Sequence, residues 1–470
     1  MPAASPDHPV EPSATAVRPA PTASELLGLS ALIADTSLSP VTPAVVAKLR
    51  QRVGRESAAW VTEIAEQQSR AIDKWGAGVW MVTARALQQA SDRVVARYKA
   101  SLLGSAAVFD LCGGVGGDAL ELARRGPVLT IDRSPLMTAM AAANLTLDAD
   151  IAARDSAAGD RSRRMAWSTA VAVNADVTDY PLPPDVALHV DPDRRPPAKS
   201  VTRHESGQRG SPRVVRPSDY LPSLEQVSRL LDRSAAAIVK LAPAAKLDED
   251  ELGQRLCRQR HRQWISLDGS VREQALLGGD TLAIAGVPVG GRSAIRLLRS
   301  AAAQSFAIDA GDVARLDEID ASLPVLDSPP GVVCDVDPAV RAAGLTAALA
   351  SARGLAALGG PAGFLGSDSR PKNIDLLQCF EVVWFGPCDF KRVRRAIDER
   401  SLELTSVKVR GVDQDPGKWL KRLRSVKRRP RPAGPDRGAP KIAAVVAAEV
   451  SLLIGRTTNG VYAAIAKPHR

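Results

Sequence analysis

Residues 106–119 read AAVFDLCGGVGGDA, and this stretch decides the fold. The apolar run that ends at Leu111 predicts a strand, and the glycines that follow predict a tight turn. The letters ALELA from Ala119 place apolar residues at helical spacing, so the turn opens a helix whose unpaired N–H groups face the loop. A strand, a glycine loop and a helix in this order are typical of a nucleotide-type cofactor site, although such a turn can also pack a strand on a helix without a ligand.

The acid at the end of this strand, Asp110, distinguishes between cofactors. A dinucleotide site keeps its glycines free for a pyrophosphate, which a carboxylate beside the loop would repel. S-adenosylmethionine carries no phosphate, and the same carboxylate would attract its ammonium and sulfonium groups. The pattern D-x-x-G-x-x-G-G-D therefore favours a methyltransferase. The loop residues that we predict to bind the cofactor are Asp110, Gly113, Gly114, Gly116, Gly117 and Asp118.

Acids also end the next two predicted strands. PVLTID ends at Asp132, about twenty residues past the loop, where a carboxylate can accept hydrogen bonds from a ribose. AVAVN is followed by Asp176, which in a methyltransferase would face the adenine amino group. A turn role for Asp176 is an equal alternative. We therefore add Asp132 and Asp176 to the predicted cofactor-binding residues.

The fourth predicted strand, VALHVD, ends at Asp191 and continues into Pro192 and Arg194. An open α/β sheet places its reactive residues at the carboxyl end of the strand next to the first one. We therefore predict Asp191, Pro192 and Arg194 as the catalytic residues.

The order of elements predicts an α/β methyltransferase domain over residues 104–310. Strands and helices alternate from residue 106 to about residue 300, which implies a largely parallel sheet flanked by helices. WISLDGSVREQALLG predicts a β-hairpin about Asp268 and Gly269, which would end the sheet in a reversed strand. This order suits a methyltransferase better than a dehydrogenase.

The flanking regions have different patterns. Residues 1–25 are rich in Pro, Ala, Ser and Thr and predict a disordered tail, and residues 26–103 repeat apolar residues at helical spacing. Prolines between residues 310 and 330 mark a boundary, after which the patterns predict a small α+β domain over residues 325–470.

Composition excludes several protein classes. A chain of 470 residues should hold two or three domains. Its five cysteines form no C-x-x-C pair and its five histidines are scattered, so we expect a reducing, cytoplasmic setting and no metal site. No apolar run approaches the length of about eighteen residues that a membrane span requires, so we expect a soluble protein without a membrane partner.

Most of the formal net charge of +10 lies in one basic segment, residues 418–441. This segment contains ten basic residues and one acid. Such a block favours a polyanion, and RNA is the partner that we predict. A solvated loop that only aids solubility is the alternative.

These motifs carry a family resemblance. The chain resembles the class I S-adenosylmethionine-dependent methyltransferases, and within them a bacterial group with a helical N-terminal part and a C-terminal domain called THUMP-like. The loop FDLCGGVGGDALELA is also similar to that of trimethylguanosine synthase relatives. The resemblance covers about residues 75–470 and is carried further by HVDPDRRP, CDVDPAVRAAGL and VKVRGVDQDPGKWLKRL. It implies a Rossmann-like sheet of seven strands, S-adenosylmethionine at the glycine loop, and activity on RNA, because THUMP domains in related enzymes help to bind tRNA.

The resemblance also implies roles for single residues. Asp110, Gly114 and Gly116 would line the methionine part of the cofactor, Asp132 the ribose, Asp176 the adenine, and Asp191 the site of transfer. One departure concerns the acceptor: amino-group methyltransferases of nucleic acids commonly follow this Asp with two prolines and an aromatic residue, whereas this chain has Pro192, Asp193 and Arg194. The aromatic surface that would stack on an extruded base is missing at that position. Arg194 or Arg195 could stack on a base or hold a phosphate instead, or only pair with nearby acids.

The sequence therefore predicts methyl transfer from S-adenosylmethionine to a base nitrogen of tRNA or rRNA. The alternative is a catalytically inactive RNA-binding protein on the same fold, in which Asp193 and Arg194 would indicate that catalysis has been lost. A nicotinamide-dependent oxidoreductase is disfavoured by Asp110 and by the predicted hairpin.

Overall fold

The computed structural model describes residues 20–155, 169–193, 220–360, 363–425 and 448–469. The chain forms two compact units. The first unit contains Met1–Ala100 and Ser105–Leu182, and the second contains Ser101–Gly104 and Pro183–Arg470.

The N-terminal part of the first unit is helical, as the sequence predicted. Threonine side chains cap several of its helices: Thr22, Thr42 and Thr83 each accept a hydrogen bond from a backbone N–H of the first turn. Gly54, with φ of 79°, interrupts the third helix. The first helix already begins at Ala23, within the stretch 1–25 that was predicted as a tail, and residues 1–19 lie outside the described residues. The helices are α1 (Ala23–Gly28), α2 (Ser30–Ser37), α3 (Pro43–Ala65), α4 (Gln68–Trp75), α5 (Ala84–Gln89) and α6 (Arg93–Ser101).

The glycine loop lies in the strand-containing part of the same unit. The elements are β1 (Val108–Leu111), α7 (Ala119–Arg125), β2 (Val128–Asp132), α8 (Pro135–Asp155) and β3 (Ala170–Asn174). The three strands are parallel in the order β3-β2-β1. The predicted strand, loop and helix over residues 106–123 are confirmed, as are the two parallel strands that follow.

Buried charges hold α6 against α7 and α8. Glu121 of α7 and Asp148 of α8 are almost fully buried. Arg93 contacts Glu121 at 2.6 Å and Asp148 at 3.1 Å, and Arg124 contacts Asp148 at 2.8 Å. Since an unpaired buried carboxylate is costly, these arginines fix how α6 packs against α7 and α8.

The second unit begins with a mixed sheet. Its elements are β4 (Val186–Val190), α9 (Leu224–Leu231), β5 (Ser234–Leu241), α10 (Glu251–Gln259), β6 (His261–Leu267), β7 (Ser270–Gly279), α11 (Thr281–Ala285), β8 (Arg292–Leu297) and β9 (Gln304–Ile308). Within this unit the strand order is β4-β5-β7-β6-β8-β9, with β4 and β5 parallel. The predicted hairpin is confirmed: β6 and β7 are antiparallel, and both turn residues, Asp268 and Gly269, have positive φ.

The sheet extends beyond the predicted hairpin. β8 pairs with β6 and β9 pairs with β8, and the sequence analysis predicted neither strand. The predicted number of seven strands is therefore not confirmed. Arg292 and Arg296 interrupt the apolar pattern of β8, which is why its sequence, RSAIRL, does not read as a buried strand.

A second sheet follows. Its elements are α12 (Ala310–Ala314), α13 (Leu316–Ser322), β10 (Val325–Leu326), β11 (Val332–Val336), α14 (Pro338–Ala342), α15 (Thr346–Arg353), β12 (Ala356–Leu358), β13 (Phe364–Ser367), β14 (Leu377–Pro387), α16 (Phe390–Glu399), β15 (Glu403–Val409), α17 (Pro416–Ser425), β16 (Glu449–Thr457) and β17 (Gly460–Pro468). The strand order is β10-β12-β13-β11-β14-β17-β16-β15. This sheet with its helices has the α+β composition that was predicted, and the boundary near residues 310–330 stays a prediction.

The second sheet curls strongly. One of its faces packs against helices, with apolar clusters around Leu349 of α15 and Val393 of α16. The opposite face forms a cluster whose buried members all lie on strands: Val333, Leu358, Phe364, Phe380, Leu453, Tyr462, Ala464 and Ala466. Strand residues can bury one another in this way when a sheet coils over its own face. Gly359 after β12 shows the closure directly, because a Cβ atom there would lie 1.8 Å from the carbonyl oxygen of Arg456 in β16.

Candidate active site

The glycine loop adopts a backbone that requires glycine. Gly114 and Gly116 have φ of 56° and 86°, in the left-handed region that favours glycine. At Gly113 the constraint is steric, because a Cβ atom would lie 1.9 Å from Oγ1 of Thr130 on β2. At Gly116 a Cβ atom would meet Ala141 of α8 at 3.4 Å. A Cβ atom on Gly114 would meet no atom of the described residues within 4 Å, so this part of the loop faces open space.

Asp110 lies beneath this loop. Its side chain is fully buried, and its Oδ2 accepts a hydrogen bond from Thr130 Oγ1 at 2.8 Å. A Cβ atom on Gly113 would lie 2.6 Å from the same oxygen. The carboxylate of Asp110 therefore packs directly under Gly113 of the loop. That it attracts the ammonium group of the methionine part stays a prediction.

Asp132 is held at the end of β2 by two backbone donors. Its Oδ2 accepts from Gly114 N at 3.0 Å, and its Oδ1 accepts from Ser134 N at 2.8 Å. Burial raises the pKa of Asp132, and the two backbone hydrogen bonds oppose this rise only in part. Each carboxylate oxygen can accept a second hydrogen bond. The arrangement fits a pair of ribose hydroxyl groups beside the open space above Gly114.

Asp176 is exposed after β3. Its Oδ1 accepts from Thr178 N at 2.9 Å and from Thr178 Oγ1 at 2.7 Å. These hydrogen bonds lower the pKa of Asp176, the backbone one most. The geometry is that of an Asx turn, the alternative that the sequence left open. Its Oδ2 has no partner in the described parts of the chain, and the adenine contact stays a prediction.

Asp118 binds the helical part of the unit. Lys99 of α6 lies 2.8 Å from Asp118 Oδ1, and Ser91 Oγ donates to Oδ2 at 2.6 Å. Both partners of the Lys99 ion pair are buried. Next to it, a Cβ atom on Gly117 would approach Ala90 Cβ at 3.1 Å. The end of the glycine loop is thus fixed directly to the segment between α5 and α6, and a cofactor role for Asp118 and Gly117 stays a prediction.

Asn144 of α8 is a structural residue of the site that the sequence analysis did not single out. Its fully buried amide accepts from Met81 N at 2.7 Å and donates to Met81 O at 3.0 Å and Val115 O at 2.9 Å. One side chain therefore connects the helix, the glycine loop and the extended segment between α4 and α5. The signal in the sequence is an amide inside the apolar run MAAANLTL.

In the second unit, Asp191 after β4 pairs with Lys240 of β5. Lys240 Nζ lies 2.6 Å from Asp191 Oδ2, and the lysine side chain is only 4% exposed, whereas that of Asp191 is 24% exposed. Pro192 is buried. The lysine was missed, although a cation inside the apolar strand AAIVKLA is a signal. Arg194 and Arg195 lie outside the described residues.

A backbone bridge joins Asp193 to Leu221, on either side of residues 194–219, which lie outside the described residues. Asp193 N donates to Leu221 O at 2.8 Å, and Leu221 N donates to Asp193 O at 3.1 Å. Tyr220 beside this bridge is buried, and its hydroxyl accepts from Ala242 N at 3.3 Å. The sequence analysis did not single out this tyrosine near the carboxyl ends of β4 and β5.

The basic segment is described up to residue 425. Lys418, Lys421 and Arg422 are exposed on α17, and Arg422 stacks on Phe390 at 3.8 Å from the ring centre. Arg424 donates to the carbonyl oxygens of Leu404 and Thr405. Residues 426–441 of the segment lie outside the described residues.

Within the described ranges, no three His, Cys, Asp or Glu residues are grouped so that they could hold a metal ion. Among the helices of those ranges, none combines the length and the apolar character that crossing a membrane requires.

Comparison with known proteins identifies the class. No protein-family model matches the sequence. An uncharacterized S-adenosylmethionine-dependent methyltransferase of Mycobacterium tuberculosis, in strains CDC 1551 and H37Rv, is 30% identical over 391 residues, which are 80% of this chain and 91% of the relative. A protein of Porphyromonas gingivalis W83, whose crystal structure is described as that of a methyltransferase without a named substrate, is similar with a TM-score of 0.64 and 16% identity, over 96% of this chain and 100% of that one.

The fold is therefore that of a methyltransferase along nearly the whole chain. The chain belongs to the S-adenosylmethionine-dependent methyltransferases, and S-adenosylmethionine is its cofactor. The predicted cofactor and enzyme class are confirmed, whereas the THUMP-like character of the C-terminal domain stays a prediction.

The Lys99–Asp118 pair yields a stability prediction. Lys99→Met leaves a buried carboxylate without its cation, so we expect the free energy of unfolding to fall by roughly 3–5 kcal/mol. Urea denaturation measures this change. The exposed Lys48→Met is the control and should change stability by about 0.5 kcal/mol or less. The double variant Lys99→Met/Asp118→Asn should recover part of the loss, and equal stability of the Lys99 and Lys48 variants would refute the prediction.

Asp132 yields a binding prediction. Asp132→Asn replaces a charged acceptor with a neutral one, so we expect S-adenosylmethionine to bind about 10- to 100-fold more weakly in calorimetry. Because burial raises the pKa of Asp132, wild-type affinity should also fall as the pH is lowered towards the pKa of this carboxylate, and the variant should lack that component. The exposed Asp35→Asn is the matched control. Wild-type affinity in the Asp132 variant would contradict the assignment.

Proposed function

We propose that the protein transfers the methyl group of S-adenosylmethionine to a nucleobase nitrogen of RNA, in tRNA or rRNA. The observation that supports this most is the Asp191 carboxylate, fixed by Lys240 at 2.6 Å immediately after β4 and still partly exposed. A catalytically inactive RNA-binding protein is not favoured, because the relatives that this chain matches are named methyltransferases.

The cofactor supplies an electrophilic methyl group. We assign its ribose to Asp132, its methionine part to the loop at Asp110, Gly114 and Gly116, and its adenine to Asp176. The backbone hydrogen bonds of Gly114 and Ser134 to Asp132 orient that carboxylate before the cofactor binds. Such fixed geometry matters, because methyl transfer depends mainly on the alignment of donor and acceptor.

Asp191 would orient the acceptor. A base amine must present its lone pair to the methyl group and must lose a proton after transfer. The ion pair with Lys240 fixes one carboxylate oxygen, and the other can accept a hydrogen bond from the amine N–H. Pro192 restricts the backbone after Asp191. Arg194, two residues after Pro192, would contact the base or its phosphate.

RNA as the acceptor is supported by the basic helix α17. Lys418, Lys421 and Arg422 are exposed there and can contact phosphates without reading sequence. We infer the same role for the rest of segment 418–441. In this proposal, residues 26–103 form a helical subdomain, residues 104–310 the methyltransferase domain and residues 325–470 a THUMP-like domain of a cytoplasmic enzyme.

The experiment is mass spectrometry of nucleosides from total tRNA and rRNA of cells with and without the gene. We expect one methylated nucleoside to be lost without the gene and to reappear when the purified protein and labelled S-adenosylmethionine are added to that RNA. Unchanged nucleosides in both RNA classes, with no labelling, would refute RNA as the acceptor.

Asp191→Asn tests the assigned residue in the same assay. We expect the transfer rate to fall about 100-fold or more, because the amide cannot take a proton, while the affinity for S-adenosylmethionine stays at the wild-type value. Asp185→Asn, at the opposite end of β4, is the matched control and should transfer at the wild-type rate. A fully active Asp191 variant would exclude this residue from the reaction.

A further inference from the structure

We propose that the curled second sheet holds a phosphate group of RNA on its inner face, at a cluster of Arg341, Lys408 and Arg410 around Asp335. The choice of RNA as the source of the phosphate rests on the proposed function. The cluster joins two motifs, CDVDPAVRAAGL and VKVRG, that the active site does not use.

Three cations converge on one carboxylate. Arg410 binds Asp335 with two parallel hydrogen bonds of 2.9 Å, from Nε to Oδ1 and from Nη2 to Oδ2. Lys408 Nζ donates to Oδ2 at 2.9 Å, and Arg341 Nη2 donates to Oδ1 at 3.3 Å. Burial alone would raise the pKa of Asp335, but the three cations together lower it below its ordinary value.

The curl of the sheet brings these residues together. Asp335 lies on β11, whereas Lys408 lies on β15 and Arg410 directly follows it. The strands β14, β17 and β16 separate β11 from β15 in the sheet. Side chains from such distant strands can meet only across a concave face, so the cluster occupies the inside of the curl. The hydrogen bonds to Asp335 hold Lys408 and Arg410 in place before any ligand binds.

The cluster carries excess positive charge. Within the described residues, Asp335 is the one carboxylate within 4.0 Å of any of the three cations, so the cluster has a formal charge of about +2. The side chains of Arg341, Lys408 and Arg410 are 20%, 26% and 28% exposed, so a ligand can reach them. Like charges that are partly removed from water repel one another, and a bound anion would offset this repulsion.

Donors remain for such an anion. Lys408 Nζ makes one hydrogen bond within the described residues, so an ammonium with three N–H groups has two left. Lysine and arginine together form short, charge-assisted hydrogen bonds to phosphate oxygens.

The neighbouring aromatic rings offer no surface on which a base could stack. Lys408 lies 5.9 Å from the ring centre of Phe380, and Arg410 lies 5.9 Å from that of Phe364. Both rings are fully buried and cannot stack on a base. The site would therefore contact the RNA backbone without selecting its sequence.

The alternative is that the cations serve only to neutralise Asp335. A single bidentate arginine already neutralises a carboxylate and gives each of its oxygens a charged partner, and Arg410 does so here. The further cations, Lys408 and Arg341, are then not needed for this purpose. The two explanations predict different effects on RNA binding when the negative charge of Asp335 is removed.

The test is binding of a fluorescent single-stranded RNA of mixed sequence to the full-length chain over a series of salt concentrations, followed by anisotropy. Lys408→Gln leaves Asp335 with both arginines. We expect it to weaken binding several-fold at low salt and to reduce the slope of log K against log salt by about 0.7. Arg395→Gln removes an equal charge from α16, where Arg395 is exposed and pairs with Glu399, and should leave the slope unchanged.

Asp335→Asn adds one positive charge to the cluster. A phosphate site should then bind RNA more tightly than wild type, whereas cations that only neutralise Asp335 should give no gain. Thermal melts establish whether this variant folds, and if it does not, the Lys408 variant alone decides. Wild-type affinity and slope in Lys408→Gln would overturn the proposal.

Inorganic phosphate in calorimetry identifies the source of the anion. The proposal is supported if inorganic phosphate competes with RNA for the wild-type protein and no longer does so for Lys408→Gln. It is overturned if phosphate binds but the salt slope of RNA binding is the same in Lys408→Gln as in wild type. The assay does not depend on methyl transfer. If Lys408→Gln alters RNA binding but the protein methylates no RNA, the proposed function alone is refuted. If the protein methylates RNA but Lys408→Gln binds RNA like wild type, this site alone is refuted.

Discussion

A carboxylate that is removed from water on folding requires a cation or hydrogen-bond donor. This requirement determines much of the packing between the elements of this chain. Asp118 is paired with Lys99, Asp191 with Lys240, and Asp335 with cations from a distant strand. In each case the two partners lie on different elements. Loss of one partner leaves a buried charge, so such a pair fixes the position of both elements more strictly than apolar contact does.

The same requirement connects structure to chemistry in the first unit. The cofactor loop is stiff because its glycines approach β2 and α8 closely and because the amide of Asn144 donates a hydrogen bond to the carbonyl oxygen of Val115. Asp132 is oriented by the loop itself through Gly114 N. A ligand that binds here meets acceptors that are already in place, so little ordering is required at the moment of binding.

The sequence predicts local features and misses long-range ones. The glycine loop over residues 106–119 and the hairpin at Asp268 are confirmed, because turn chemistry and strand pattern are encoded in adjacent residues. The pairing of Asp191 with Lys240 was missed, since 49 residues separate them and only the parallel arrangement of β4 and β5 brings them together. The curl of the second sheet was missed for the same reason. The strand β8 was missed because its two arginines interrupt the apolar pattern.

The strand order of the second sheet has a consequence for synthesis of the chain. β14 and β16 each pair with β17, so a strand in the interior of the sheet is made after the others. Asp335 is 73 residues ahead of Lys408, which at ribosomal speed is a delay on the order of several seconds. During that time the nascent sheet exposes unpaired edges and an unneutralised acid. The sheet can therefore close only after β17 has been translated, and until then its strand edges are open to chaperones.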